Sequence, residues 1–360
     1  MGSLDKDRHQ KELAIRYCLA RGIVPFAEVI VSNSSDLSET TEVLTDIDVL
    51  GIELVSDGDL RREIFDCKTS SRLSSINRAF WAAGVLSYTK SDRACVILKN
   101  RAVHNHKMSA LSMKVDLHSE ESFKDFGKTF DTAFPAETCY QSSIARWHAL
   151  EAILRKLSWA SSALGVARNV APLTDSPSST FRRLVADMRA IRGEIDPEKK
   201  EHVCLFLEFL AASLLLWVPM SRDARRFYDP QQPKADFEKT LRFYLWGGRE
   251  AYLTRQQMRQ NAGHEAPSPV EMPSWDQLLM FVGLVVSAPH EVYRCIHFVK
   301  EVCLREALGR VDDFDARLSL YAAENPRVRQ FSLALSDYLV SACGLPRDMG
   351  KKVQSLLFDA

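Results

Sequence analysis

Apolar and polar positions follow two rhythms along this chain, and the change comes once, near residue 125. Before it, β-rich runs interleave with helical periodicity. Asp7 to Ala20 sets Leu13, Ala14, Tyr17 and Cys18 on one side of a helix, with Glu12 beside that stripe, and Gly22 ends it. Val24–Val31 is a strand by its β-branched content, and Leu44–Leu54 and Arg61–Thr69 flank Ser-Asp-Gly-Asp as the two arms of a hairpin. Leu73, Ile76 and Phe80 recur at helical intervals in Ser71–Ala83, before Gly84. Ala94–Leu98 suits a buried strand, His106–Lys114 a helix and Val115–His118 a short strand. Ser119-Glu120-Glu121 opens another helix with acids in its first turn. The predicted order is helix, three strands, helix, strand, helix, strand, helix.

From Phe126 onward helical periodicity takes over, in Ile144–Leu164, Thr180–Arg192, Lys199–Val218, Asp236–Gln260, Trp275–Val286, His290–Leu308 and Gln330–Cys343. Breaks rich in Pro, Ser and Gly separate these segments, and no fixed period repeats, which argues against a solenoid. The expectation is therefore two parts: an α/β domain over 1–125, with a mixed sheet flanked by helices, and an all-helical domain over 126–360 for substrate or partner binding.

Side-chain direction makes the hairpin the point of chemical interest. Asp46 and Asp48 share one face of the first arm; Asp66 and Lys68 share one face of the second, with Cys67 on the other. A two-residue turn would set Asp48 opposite Cys67 and leave the acids on opposite faces. A three-residue loop, Ser56-Asp57-Gly58, with glycine in the left-handed position, pairs Val55 with Asp59. Asp48 then lies opposite Asp66, with β-carbons about 5 Å apart. The second register is the expectation. It brings two carboxylates and an ammonium within reach of one metal ion.

Composition narrows the setting. The chain has 360 residues, 46% hydrophobic and 26% charged, an ordinary globular profile, and its formal net charge is zero, so any nucleic-acid contact must use a local patch. Eight cysteines without CxxC pairs, and an N-terminus without a signal-sequence pattern, point to free thiols and the cytoplasm. Val203–Met220 approaches membrane-spanning length, but it carries Glu208 and ends at Pro219. A buried central helix explains it at less cost, and no membrane partner is expected.

An acid on one strand, D-x-K on the next and then a helix resembles the PD-(D/E)XK, or restriction-endonuclease-like, nuclease superfamily, with the branch related to type IV restriction enzymes looking closest. The matching residues are Asp48, within Asp46-Ile47-Asp48-Val49-Leu50, and Asp66-Cys67-Lys68. The resemblance covers about residues 5–125. The proline of the family name is absent, Ile47 preceding Asp48. It implies a Mg²⁺-dependent (or Mn²⁺-dependent) nuclease, DNA favoured as substrate, in prokaryotic defence or DNA processing, with a protein partner or a second copy. Asp48, Asp66 and the backbone carbonyl of Cys67 would hold the metal, and Lys68 would orient or help deprotonate the attacking water. A glutamate on the first helix completes the site in many relatives; Glu12 is the matching candidate, and Asn77 lies on the helix after Lys68. Phosphodiester hydrolysis needs these residue types on chemical grounds too, since hard Mg²⁺ takes carboxylate oxygens and keeps several waters. Two alternatives stay open: a solvated sheet face with cross-strand ion pairs, and a nuclease fold without activity serving as a scaffold.

The remaining signals are weaker. His104-Asn105-His106 spells HNH by chance, and His104, His106 and His118 lack the cysteine pair that would support zinc. Cys295 and Cys303 lie on an apolar helix and suit packing. Arg222–Arg259 holds nine Lys/Arg against five acids, interleaved with aromatics. Arg222, Arg225, Arg226, Lys239, Arg242 and Arg249 are candidates for a nucleic-acid groove there, and Arg182, Arg183, Arg189 and Arg192 could extend it. An amphipathic helix pair with buried aromatics explains the same pattern.

Overall fold

A five-stranded mixed sheet, β1 (Val24–Ser32), β2 (Val43–Leu54), β3 (Leu60–Lys68), β4 (Arg93–Leu98) and β5 (Val115–Ser119), runs in chain order across the N-terminal part. This computed structural model describes residues 7–33, 40–56, 58–70, 74–261 and 269–359. The β1–β2 and β2–β3 pairs are antiparallel, whereas β3–β4 and β4–β5 are parallel. Parallel neighbours need a crossover, and α2 (Ser75–Tyr88) and α3 (His104–Leu111) supply one each. The opposite face is covered by α1 (Arg8–Ala20) and α4 (Glu120–Lys128). With helices on both faces the strands bury both sides, and β2 is continuously buried from Ile47 to Ile52.

The core beneath α1 joins Leu13, Ala14, Tyr17 and Cys18 to Val49, Phe65, Cys67, Cys95 and Ile97 of the sheet. Phe123, Phe134, Ile144 and Trp147 extend the same cluster. The compact unit accordingly runs from Met1 to Glu151, past the boundary expected after residue 125 and into α5 (Ile144–Leu154). Apolar residues beyond α4 fill the core that the sheet alone leaves open.

Ala152–Ala360 forms a second, helical unit. Short α6 (Ser161–Gly165) runs into a π-helical turn, Val166–Val170, followed by α7 (Pro177–Ala190) and α8 (Lys200–Phe227). Then come α9 (Lys234–Leu245), α10 (Arg249–Asn261), α11 (Trp275–Ser287), α12 (Glu291–Leu308), α13 (Asp312–Glu324), α14 (Arg327–Cys343) and α15 (Arg347–Phe358). Helices α13 and α15 are not among the segments that the periodicity predicts. Helix α8 is long and apolar enough to cross a bilayer, but 94% of its most apolar window is buried inside the unit. Helices α7, α11, α12 and α14 pack on it, and Trp217 sits edge-on to Phe181 and Phe281.

Several helix ends differ from the pattern-based reading, among them that of α5, which stops at Leu154 and not at Leu164. Helix α8 continues through Pro219 to Phe227, because packing on most of its surface offsets a proline penalty of about 3 kcal/mol. Helix α2 runs past Gly84, whose cost of about 1 kcal/mol is too small to end a packed helix. The long helix expected over Asp236–Gln260 instead breaks at Gly247 and Gly248, both at positive φ (85° and 104°), which glycine adopts without strain.

Candidate active site

The β2–β3 hairpin has the three-residue-loop register. Val55 N–H donates to Asp59 C=O at 2.9 Å, and pairing runs from Leu54–Leu60 to Val49–Phe65. Gly58 takes φ +84°, the left-handed position the loop requires; Asp57 lies outside the described residues. One step beyond Val49–Phe65 the backbone ladder ends. There the Asp48 carboxylate takes over as acceptor, its Oδ2 receiving the Cys67 N–H at 2.8 Å. The register sets Asp66 opposite Asp48, and Lys68 Nζ sits between them, 3.1 Å from Asp48 Oδ2 and 3.2 Å from Asp66 Oδ1. Asp48 is 6% exposed and Asp66 1%, so both charges depend on partners inside the protein.

Each element around this fork adds one charged group. From α2, Arg78 grips Asp66 with two bonds, Nε to Oδ2 at 2.8 Å and Nη2 to Oδ1, while its guanidinium stacks 4.0 Å from the Trp81 ring centroid. From α1, Lys11 Nζ reaches 3.7 Å from Asp48 Oδ1 and donates to Glu28 Oε1 at 2.8 Å. Glu28, on β1, also meets His148 Nε2 at 3.1 Å. Asp7 pins the start of α1 to the end of β3, accepting from Thr69 N–H at 2.8 Å and Thr69 Oγ–H at 2.6 Å. Gln10 Nε2 adds a longer bond to the Lys68 carbonyl, 3.4 Å.

The result is one row of alternating charge, Glu28, Lys11, Asp48, Lys68, Asp66 and Arg78, with His148 against Glu28 at one end. Glu28 holds φ +53° between Ala27 and Val29, the neighbours that pair with Val49 and Ile47. A non-glycine residue in the left-handed region costs roughly 1–3 kcal/mol, and such strain collects at functional sites.

The row sets its own protonation. Burial pushes the Asp48 carboxyl up, and Lys68, the Cys67 N–H and Lys11 offset only part of the rise. Burial alone would lower the Lys68 ammonium, but Asp66 and Asp48 together outweigh it and hold the group above its usual value. Lys68 is thus charged at neutral pH, and suited to stabilising anions. Glu28 moves the other way: burial raises it, and Lys11 and His148 overcome that to leave it below the usual carboxylate value.

Of the residues singled out in the sequence, Asp48, Asp66 and Lys68 converge; Glu12 and Asn77 do not join them. Glu12 pairs with Arg8 at 3.5 Å and Arg16 at 3.7 Å along its own helix, and Asn77 is exposed. In each helix the immediate neighbour, Lys11 or Arg78, reaches the acids instead. One residue is about 100° of helical rotation, and the sequence pattern does not resolve it. Glu28 was missed as well; its one signal is an acid inside the apolar run Val-Pro-Phe-Ala-Glu-Val-Ile-Val.

Several of the weaker signals make local contacts. His106 Nδ1 meets Ser75 Oγ at 2.8 Å, and His118 stacks on Phe126 with centroids 5.2 Å apart. In the helical unit, Arg222 is held by Asp223 at 2.9 Å, and Arg242 by Glu271 at 2.7 Å and Glu238 at 3.2 Å. Phe227, Phe237, Tyr244 and Tyr228 pack on one another. Arg225, Arg226, Lys239 and Arg249 are exposed. Cys295 and Cys303 are buried within α12.

Two carboxylates that converge on a single cation suit a hard divalent ion, and Lys68 Nζ stands between them as such a cation would. Among the described residues no three His, Cys, Asp or Glu side chains form a ready cage. Mg²⁺, however, is commonly held by one or two carboxylates plus waters. No protein-family model, curated protein or solved structure matches this chain, so the chemistry of the fork is read from its own geometry.

Proposed function

We propose that the N-terminal unit is a restriction-endonuclease-like phosphodiesterase that hydrolyses nucleic acid, DNA favoured, with Mg²⁺ or Mn²⁺ as cofactor. The observation that carries this reading is the meeting of Asp48 and Asp66 on Lys68 at the open end of a β2–β3 fork. The sheet supports it too, an antiparallel hairpin leading into two parallel crossovers with the acids on its central strands. Asp48 and Asp66 would hold the metal, with the Cys67 carbonyl as a further oxygen. When bound, the metal supplies a hydroxide at neutral pH and a counter-charge for the phosphoryl oxygens.

The chain's own groups have separable tasks. Asp48 is oriented by the Cys67 N–H. Lys68, held as an ammonium, positions the attacking water and meets the charge that builds on the phosphoryl group. Lys11 and Glu28 hold Asp48 from the α1 side. Free thiols at all eight cysteines suit a reducing compartment.

A second reading has an observation of its own. Three acids in the row, Glu28, Asp48 and Asp66, are matched by three cations, Lys11, Lys68 and Arg78. A site already neutral is what a nuclease-fold scaffold without activity would retain. Cleavage of plasmid and single-stranded DNA in Mg²⁺, comparing wild type with Asp66→Ala and Lys68→Ala, separates the two. Cleavage by wild type and none by either variant is expected. Activity that survives both substitutions excludes this site, and inert wild type with every substrate favours the scaffold.

A further inference from the structure

Arg78 holds both oxygens of Asp66, so a divalent ion drawn to that carboxylate competes with the guanidinium for the same oxygens. We infer that Arg78 is the site's phosphate-binding residue: it is held on Asp66 until a divalent cation displaces it, and it then passes to a non-bridging oxygen of the substrate phosphate. This rests on the phosphodiesterase reading above and specifies how that site couples metal to substrate.

Four features carry it. Asp66 is 1% exposed and is held by two cations, Arg78 and, at 3.2 Å, Lys68, so the buried carboxylate keeps a counter-charge while a divalent ion takes the place of the guanidinium. The planar fork of a guanidinium matches carboxylate and phosphate alike, so a move from one to the other conserves its bonding. The Trp81 ring, 4.0 Å from the guanidinium carbon, keeps the cation beside the fork once it leaves Asp66. The Arg78 side chain is 16% exposed, so it has an edge towards solvent, from which a phosphate arrives. Charge completes the case. A divalent ion entering a row of three acids and three cations leaves it two charges positive, and a phosphodiester anion at the released Arg78 offsets one of them. Metal and substrate should therefore bind better together than apart.

The test is Mn²⁺ binding to the full-length protein, followed by electron paramagnetic resonance for wild type, Arg78→Gln, Arg78→Lys and Asp66→Asn. Arg78→Gln should bind Mn²⁺ about tenfold tighter than wild type, since a competing charge-assisted interaction is removed. Arg78→Lys should fall between them, and Asp66→Asn should lose the site. A phosphorothioate decathymidine should tighten Mn²⁺ binding by wild type and do so much less for Arg78→Gln. Its own binding in Mn²⁺ should lose about one unit of salt slope in that variant. If Arg78→Gln does not fold, Arg78→Lys carries the comparison with wild type. An Asp66-dependent Mn²⁺ site equally tight in wild type and both Arg78 variants would overturn the release of Arg78 and leave the phosphodiesterase reading standing. Absence of any Asp66-dependent Mn²⁺ site in all proteins would overturn both.

Discussion

Both units bury charged side chains, and they treat them differently. In the helical unit, Glu208 lies 3.6 Å from Arg168, and burial drives the Lys300 ammonium down while Glu208 opposes the fall. Arg305 donates to the Leu356 carbonyl at 2.7 Å and the Asp359 carbonyl at 3.0 Å, satisfying the end of α15. Glu208, Lys300 and Arg305 are buried among helices, at 6%, 4% and 2% exposure, and only Arg168 keeps a partly exposed edge. In the sheet unit the row has an open side, for the Lys68 side chain is 25% exposed and that of Glu28 35%. Buried charge on its own is therefore no mark of a site. Charge that converges where two strands part, and that solvent can still reach, is.

The strongest test of this contrast pairs Asp66→Ala with Glu208→Ala. Each removes one partner from a buried pair and should cost about 3–5 kcal/mol in urea unfolding, but only Asp66→Ala should abolish DNA cleavage. Loss of cleavage by a folded Glu208→Ala protein would end the distinction. Next in size, Lys68→Met should lower the cleavage rate about 10²–10³-fold, while thermal unfolding changes much less than with Asp66→Ala. Smaller still is a comparison along α1 and β1. Glu28→Gln should reduce cleavage about tenfold and cost about 1 kcal/mol, its partly exposed ion pair being screened. Glu12→Gln should stay within about 0.5 kcal/mol of wild type and cleave normally. Equal effects from the two would return Glu12 to the site.

The mildest effect is a pH dependence. Glu28 sits below its ordinary value of 4.5 in the fold, so the folded state binds fewer protons there than the unfolded chain. The stability it contributes is whole above about pH 4.5 and fades as pH falls through the lower folded value. Glu28→Gln should flatten the acid limb of a stability-versus-pH curve in that window and leave the alkaline limb unchanged.

The hairpin shows how far local chemistry reaches. Gly58 is free to take positive φ, and that freedom chose the loop; the loop chose the register, and the register set Asp48 and Asp66 face to face. Every link in that chain is local, so it was legible. Glu12 and Asn77 mark the limit. Helical periodicity locates an apolar stripe to within about one residue, and one residue decides whether Glu12 or Lys11, Asn77 or Arg78, faces the acids. Helix ends at Gly84 and Pro219 failed for a related reason: a local penalty of about 1–3 kcal/mol is outweighed by packing that involves distant segments.

By itself, then, the sequence determined the order of elements through residue 125, the hairpin register and the two acids with their lysine, because each follows from periodicity or turn chemistry within a few residues. Tertiary structure alone decided the other groups in the row. Glu28, Lys11, Arg78 and His148 come from four elements separated by up to 137 positions, and only the closing of helices over both faces of the sheet brings them to one fork. It also decided that three cations answer three acids there.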